Sequence, residues 1–191
     1  NGHGALVVNI DPLVLPDGRV VSGGNFHGQP LGVAGDYLGL SLCSLANISE
    51  RRSFRLMDPA SSGLPAFLTK HGGLNSGLMI IQYTAASLCS ECNALAHPSS
   101  VDTIPTSAGQ EDHVSMCTTA ARKARDIGEN VGSVLAIEYL CACQALEFWN
   151  RDMLSPAGAA AYGLLRSKVP PVESDREMAG DIAAARDLIV S

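Results

Sequence analysis

The sequence has few aromatic residues and few charges. Aromatic side chains make up 5% of the 191 residues and charged side chains 17%, whereas the hydrophobic class reaches 46%. A chain this apolar is not typical of disordered proteins. Because aromatics are scarce, the apolar mass is mostly aliphatic, including Ala and Leu, which favour packed helices.

Basic residues are outnumbered, and no long apolar run is free of polar side chains. Lys and Arg total 13 against 19 Asp and Glu, a net charge of −6, which argues against electrostatic capture of nucleic acid or anionic membranes. The longest apolar stretch, 131–149, contains Glu138, Gln144 and Glu147, each costly at bilayer depth. We therefore expect a soluble chain with no nucleic-acid partner and no membrane span.

Six cysteines are present, but their spacing does not favour a metal site. Cys89 and Cys92 lie in a helical pattern, and no second pair or nearby His completes four ligands. We interpret them as thiols buried between helices and expect no metal. Nothing resembles a secreted disulfide scaffold, so a reducing cytoplasm is expected. The glycosylation-like Asn47-Ile-Ser49 is interpreted as a helix cap, with Glu50 three residues after Asn47.

Hydrophobic periodicity predicts an all-α fold with one small β-hairpin. The hairpin is expected within 5–24, around the turn Pro16-Asp17-Gly18, long bundle helices within 30–150, and C-terminal helices within 156–191. All are assigned to one domain spanning 1–191. The individual helices are expected from Pro30, from Asn47 to before Pro59, and at about 75–95, 110–149, 156–168 and 179–190.

The longest of these helices carries two further expectations. Its 40 residues would span about 60 Å, which suits a bundle or an oligomer better than a small globule. Glu111 and Asp112 are placed in its first turn, where the helix dipole favours acids, and Gly128 and Gly132 are possible bends. Glu138, within its apolar stripe, is expected to be a buried structural carboxylate with a polar partner.

Five motifs occur in a fixed order along the chain. They are Ser22-Gly-Gly-Asn-Phe-His-Gly-Gln-Pro30, Asn47-Ile-Ser-Glu-Arg-Arg52, Ser62-Gly-Leu-Pro65, Gly73-Leu-Asn-Ser-Gly77 and Gln110-Glu-Asp-His-Val-Ser-Met116. With these motifs in register, the chain from about Asp11 to its end resembles the aromatic amino acid lyase family, and within it the enzymes that act on histidine. The resemblance implies a long-helix bundle, a homotetramer, and non-oxidative deamination of L-histidine to trans-urocanate and ammonia.

The resemblance also implies a cofactor that this sequence does not supply. The family's electrophile is a methylidene-imidazolone group formed from an Ala-Ser-Gly tripeptide, which these 191 residues lack; the nearest stretch is Ala60-Ser-Ser-Gly63. The chain begins with Asn rather than Met, and it is expected to be the C-terminal portion of a lyase, inactive without the upstream region. Two departures from the family pattern are Gly109, where Asn is usual, and Asp11.

The resemblance carries over three site residues. Phe26 matches the phenylalanine that packs beside the electrophile and helps exclude water. Glu111 matches the glutamate that contacts the substrate side chain and assists proton transfer, so it is expected, with Phe26, to be a catalytic residue. An anionic carboxylate suits an imidazole with N–H donors. Gln110 is expected in the same wall as a substrate-binding residue. His27 and His113 are interpreted as structural or interface residues.

Two other functions remain open from the sequence. One is a tyrosine or phenylalanine ammonia-lyase, or an aminomutase with the same electrophile; Glu111 favours histidine over these because an apolar ring gains little from a buried carboxylate. The other is a truncated, non-catalytic paralogue that serves only as an assembly partner.

Overall fold

The computed structural model describes residues 13–21 and 27–190, which form a helical fold with one short hairpin. Strands β1 (Leu13–Val14) and β2 (Val20–Val21) are antiparallel, with Leu13 opposite Val21 and Val14 opposite Val20. The turn between them is closed by the N–H of Gly18, which donates to the carbonyl oxygen of Leu15 at 2.9 Å. This confirms the hairpin; the rest of its expected range, 5–12 and 22–24, lies outside the described residues.

Helix α1 (Gln29–Met57) is a single uninterrupted helix of 29 residues. The expected start near Pro30 and the end before Pro59 are confirmed. The break at Asn47 is wrong: Asn47 is an exposed residue inside the helix, whereas a cap needs non-helical backbone. No Pro lies between Pro30 and Pro59, and the buried side chains of Cys43, Ala46 and Ser49 continue the packed face across this position.

The segment between α1 and the next long helix is mostly a loop. It contains the short α2 (Pro59–Ser62), capped by Asp58, and one 3₁₀ turn, Ala66–Leu68. Helix α3 (Met79–Leu95) begins four residues later than predicted. Its start is displaced because the backbone N–H groups of Ser76 and Gly77 donate to the Asp175 carboxylate at 2.8 and 2.9 Å, which holds them in a loop.

Helix α4 (Cys117–Ala145) is shorter than predicted at both ends. Residues 110–116 are not helical, and Met116, just before the helix, has a φ of 50°. The chain continues from α4 into a 3₁₀ turn, Leu146–Phe148. The helix is continuous through Gly128 and Gly132. Glu138 is partly buried, with 21% of its side chain exposed, and pairs with Arg52 at 3.5 Å, so the expected polar partner is present.

The two C-terminal helices agree with the prediction. Helix α5 (Pro156–Arg166) begins after Ser155, whose hydroxyl accepts a hydrogen bond from the N–H of Gly158. Helix α6 (Ala179–Val190) has the predicted bounds.

The chain divides into two compact units. The first comprises residues 1–40 and 95–126, and the second comprises 41–94 and 127–191. The second unit has an aliphatic core that includes Ile81, Val134, Ile137 and Leu165.

The cysteines of this second unit belong to its core. Cys89 and Cys92 are buried free thiols, as interpreted from the helical pattern. Burial raises the pKa of the Cys89 thiol to about 11 and that of Cys141 to about 12, so both stay protonated near neutral pH.

Two helical segments, 29–57 and 117–148, are long and apolar enough to cross a membrane by length and composition alone. Of their most apolar windows, 28% and 50% are buried inside the protein. The buried core helices of soluble proteins also meet this criterion of length and composition, so the expected absence of a membrane span stays a prediction.

Candidate substrate site

A tight turn in the first unit presents the Gln-Glu-Asp-His motif. The N–H of Thr106 donates to the carbonyl oxygen of Glu111 at 3.0 Å, and the N–H of Glu111 donates back to the carbonyl oxygen of Thr106 at 3.3 Å. Between them, Ser107, Ala108 and Gly109 all have positive φ, at 53°, 56° and 86°. Left-handed backbone favours Gly, and Asn tolerates it best among the others. Gly109 therefore suits this turn.

The turn corrects the expected position of the acidic residues. Glu111 and Asp112 do not lie in a helical first turn, because α4 begins only at Cys117. Both are exposed, as is Gln110. Nothing in their own sequence forces a helix, and the left-handed φ of Met116 interrupts any helix that would run from 110 into α4. Glu111 is instead held at the closing bridge of the turn.

The end of the Gly-Gly-Asn-Phe-His loop meets this segment. The rings of His27 and His113 are stacked, with centroids 4.8 Å apart and planes 12° apart. His27 Nε2 lies 3.0 Å from the carbonyl oxygen of His113. Phe26 itself lies outside the described residues, so its role stays a prediction. The structure nevertheless places His27, the next residue in the sequence, against the segment that carries Glu111.

Both motifs line one open concavity of about 260 Å³. Glu111 belongs to its wall, whereas Gln110 does not. The wall residues are His27, Gly28, Thr106, Glu111, His113, Val114 and Ser115. This surface combines a carboxylate, two imidazoles and hydroxyl groups, so it can accept hydrogen bonds from a cationic or N–H-bearing ligand and donate others to it.

Close backbone packing brings the two segments together. A Cβ atom on Gly28 would lie 2.5 Å from Cys117 Sγ and 2.8 Å from Ser115 Oγ, and one on Gly32 would lie 3.0 Å from the carbonyl oxygen of Ser115. Larger side chains at these positions would therefore separate the start of α1 from the start of α4. This packing is the physical reason for a glycine at position 28 of the first motif.

A buried carboxylate supports the same part of the unit. Asp36 on α1 is 8% exposed and accepts a hydrogen bond from the N–H of Ser100 at 2.7 Å. Burial alone would raise the pKa of Asp36, but hydrogen bonds from Ser100 and Ser99 and the charge of Lys123 hold it below its ordinary value. Lys123 on α4 also donates to Ser99 Oγ at 2.9 Å. Hydrogen bonds thus connect the loop after α3 to both α1 and α4.

The site residues predicted from the sequence do not include two further wall residues. Val114 and Ser115 line the concavity, although neither was assigned a role. Val114 is fixed by its N–H, which donates to Thr103 Oγ1 at 2.9 Å. Their only sequence signal is their proximity to Glu111 along the chain.

Other features of the described residues offer less chemistry. A groove of about 410 Å³ in the second unit, bordered by Leu56, Trp149 and Met153, contains no titratable side chain in its lining. Within 13–21 and 27–190, no three His, Cys, Asp or Glu side chains converge as metal ligands would.

The helical fold and the concavity, which is lined by two motifs far apart in the sequence, together point to one protein family. The family model for aromatic amino acid lyases matches residues 7–167, and the chain belongs to that family.

Individual relatives show which members of the family the chain resembles. The chain is 59% identical over 183 residues to histidine ammonia-lyase of Symbiobacterium thermophilum, covering 95% of this chain and 36% of the relative. It is 54% identical over 186 residues to histidine ammonia-lyase of Deinococcus radiodurans, covering 96% and 35%. The chain therefore spans about a third of the length of these relatives.

Solved structures of similar proteins match the fold of this chain. The crystal structure of histidine ammonia-lyase from Trypanosoma cruzi matches with a TM-score of 0.87 at 49% identity, covering 94% of this chain and 36% of that one. Tyrosine aminomutase from Streptomyces globisporus matches with a TM-score of 0.86 at 38% identity, covering 94% and 34%. The all-α bundle predicted from the sequence is confirmed.

Proposed function

We propose that this chain forms part of the substrate pocket of an enzyme that deaminates L-histidine to trans-urocanate and ammonia. The observation that carries the proposal is the placement of Glu111 on the wall of the concavity that His27 also lines. The similarity to histidine ammonia-lyases over 95% of the chain supports histidine as the substrate. The reaction breaks the Cα–N bond and one Cβ–H bond and leaves a Cα=Cβ double bond, with no net oxidation or reduction.

In this proposal, Glu111 binds the substrate imidazole. The side chain is exposed on the wall of the concavity and, among the described residues, has no ion-pair partner. An ionised carboxylate accepts hydrogen bonds from an imidazole N–H and stabilises the ring if it becomes cationic. It would also be placed to assist proton transfer. Gln110 precedes Glu111 in the sequence but does not line the concavity, so its role in substrate binding stays a prediction. Phe26 would shield the reacting centre from water.

The electrophile is not supplied by these residues. A methylidene-imidazolone group would activate the amine as a leaving group, and it forms from Ala-Ser-Gly, which the 191 residues do not contain. The residues present therefore do not fit the role of its precursor. We propose that it comes from the remainder of the same lyase, and that no metal takes part.

The proposal extends to assembly and location. A homotetramer is supported by the exposed apolar face of α1, which includes Val33, Tyr37 and Ile48. A cytoplasmic location is supported by the six cysteines, which are free thiols. No membrane or nucleic-acid partner is proposed, in keeping with the net charge of −6.

The test is substitution of Glu111 by Gln in the product of the complete reading frame. We expect the rate of urocanate formation, followed by absorbance, to fall by about 10²- to 10⁴-fold, since an acid–base group of this kind contributes that much. The free energy of unfolding should change by less than about 0.5 kcal/mol because the side chain is exposed.

A matched control is Glu173→Gln, which makes the same change at an exposed position of the C-terminal segment and should leave turnover unaltered. Equal activity of Glu111→Gln and the wild type would remove the role assigned to Glu111.

A tyrosine or phenylalanine enzyme, or an aminomutase, is the second candidate, favoured by the match to tyrosine aminomutase. Assays with histidine, tyrosine and phenylalanine as competing substrates separate the two, because a phenyl ring offers Glu111 no N–H. A non-catalytic assembly partner would turn over none of them. In that case no Ala-Ser-Gly would be encoded upstream of Asn1.

A further inference from the structure

The two stacked imidazoles of the first unit join residues 86 positions apart. His27 follows the loop that carries Phe26, and His113 ends the motif that carries Glu111. Neither ring is assigned to the chemistry proposed above.

The hydrogen bonds of His27 fix which of its nitrogens carries the proton. Nε2 faces the carbonyl oxygen of His113 at 3.0 Å, so it must donate. Nδ1 lies 3.2 Å from the N–H of Gln29, the first residue of α1, so it must accept. A neutral imidazole protonated on Nε2 satisfies both contacts at once. The ring is therefore held by one backbone group of α1 and one of the segment that bears Glu111.

The other hydrogen bonds of that segment are local. Glu111 is bridged to Thr106, and Val114 is held by Thr103, so both bonds connect the loop 97–116 to itself. The bond from His27, two residues before α1, holds the part of the loop that carries Glu111, whereas the hydrogen bonds of Asp36 and Gln29 of α1 hold the loop at Ser100. His113 lies two residues from Glu111, so a shift of its carbonyl group moves the carboxylate as well.

We propose that His27 is a positioning residue, which holds the segment 110–113 against the start of α1 and so sets the place of the Glu111 carboxylate on the wall of the concavity. This inference rests on the proposed function and assigns His27 no contact with the substrate. Its stacking on His113 fixes the ring plane, and its two hydrogen bonds fix the ring position. Since misplacement of a reacting group by about 1 Å costs about a hundredfold in rate, loss of this contact reduces catalysis while the fold remains.

Two variants separate the contacts of His27. In His27→Asn, the side-chain oxygen can still accept from the N–H of Gln29, as Asn does at helix starts, but it is too short to reach His113. His27→Phe keeps a ring for stacking and loses both hydrogen bonds. We expect each to lower kcat for histidine by about ten- to a hundredfold. His71→Asn, the same change at an exposed position of the second unit, should leave kcat unchanged.

A double variant distinguishes positioning from general damage. If His27 acts through Glu111, then His27→Asn should cause no further loss in a protein that already carries Glu111→Gln, because coupled residues are non-additive. Multiplicative losses in the double variant would overturn the proposal, as would a fully active His27→Asn.

Hydrogen exchange gives a readout that does not need activity. Peptides covering 106–116 should exchange faster in His27→Asn than in His71→Asn, with other peptides unchanged. If the wild type does not turn over histidine, the proposed function fails, and this comparison alone decides whether His27 positions the segment. Identical exchange in the two variants would refute the positioning role.

Discussion

Gly28 shows how a single residue lets the two motifs of the site meet. It is buried against Ser115 and Cys117, and there is no room for even a methyl group. We expect Gly28→Ala to lower the free energy of unfolding by about 1–3 kcal/mol, the usual cost of overpacking. Chemical denaturation of the wild type and variant measures the difference.

The matched control is Gly163→Ala, in the interior of α5, where an added Cβ would meet nothing within 4 Å. It should stabilise the protein by about 0.5–1 kcal/mol because Ala favours helix. Adding Ser115→Ala and Cys117→Ala to Gly28→Ala should recover part of the loss. A Gly28→Ala protein as stable as the wild type would show that the segments separate without cost.

At the scale of elements, α1 is joined to the loop after α3 by Asp36. The pKa of the Asp36 carboxyl is lower in the folded than in the unfolded protein. The stability that the ionised carboxylate contributes is therefore fully present at a pH above the unfolded pKa, about 4. It is lost as the pH falls through the folded pKa. We expect Asp36→Asn to lower the free energy of unfolding by about 1.5–3 kcal/mol at pH 7, the contribution of a charged hydrogen bond.

Urea unfolding from pH 7 to pH 3 tests this sign. The gap between wild type and Asp36→Asn should narrow in acid, whereas Asp187→Asn, at an exposed position of α6, should show little gap at any pH. A gap independent of pH would mean that the carboxylate charge of Asp36 is not the source of the stability.

The start of α4 illustrates what an element's own sequence leaves open. Acidic residues at 111 and 112 match the pattern of a helical first turn, yet α4 begins at Cys117. The left-handed φ of Met116 and the bond from Val114 to Thr103 end any helical continuation. These depend on contacts with other parts of the unit, which local periodicity does not encode.

At the scale of the whole molecule, the exposed apolar face of α1 predicts association. Val33, Tyr37, Leu40, Ile48 and Phe54 are all at least 41% exposed, and at 100° per residue they fall on one side of the helix. Apolar faces of this kind mark interaction sites. We expect the 191-residue chain expressed alone to associate, and Ile48→Glu to reduce its mass in light scattering.

Val101→Glu introduces the same charge at an exposed loop position and should leave the mass unchanged. A chain that is monomeric without substitution would contradict the assembly proposal.

The sequence by itself determined the helical class, the hairpin at 13–21 and the bounds of α6, because apolar periodicity and turn residues act locally. Its five ordered motifs also indicated the family. The tertiary structure alone decided that α1 continues through Asn47, that Glu111 lies in a turn rather than a helix, and that His27 meets His113. Each of these depends on packing between segments distant along the chain, where steric fit and shared hydrogen bonds override local preference.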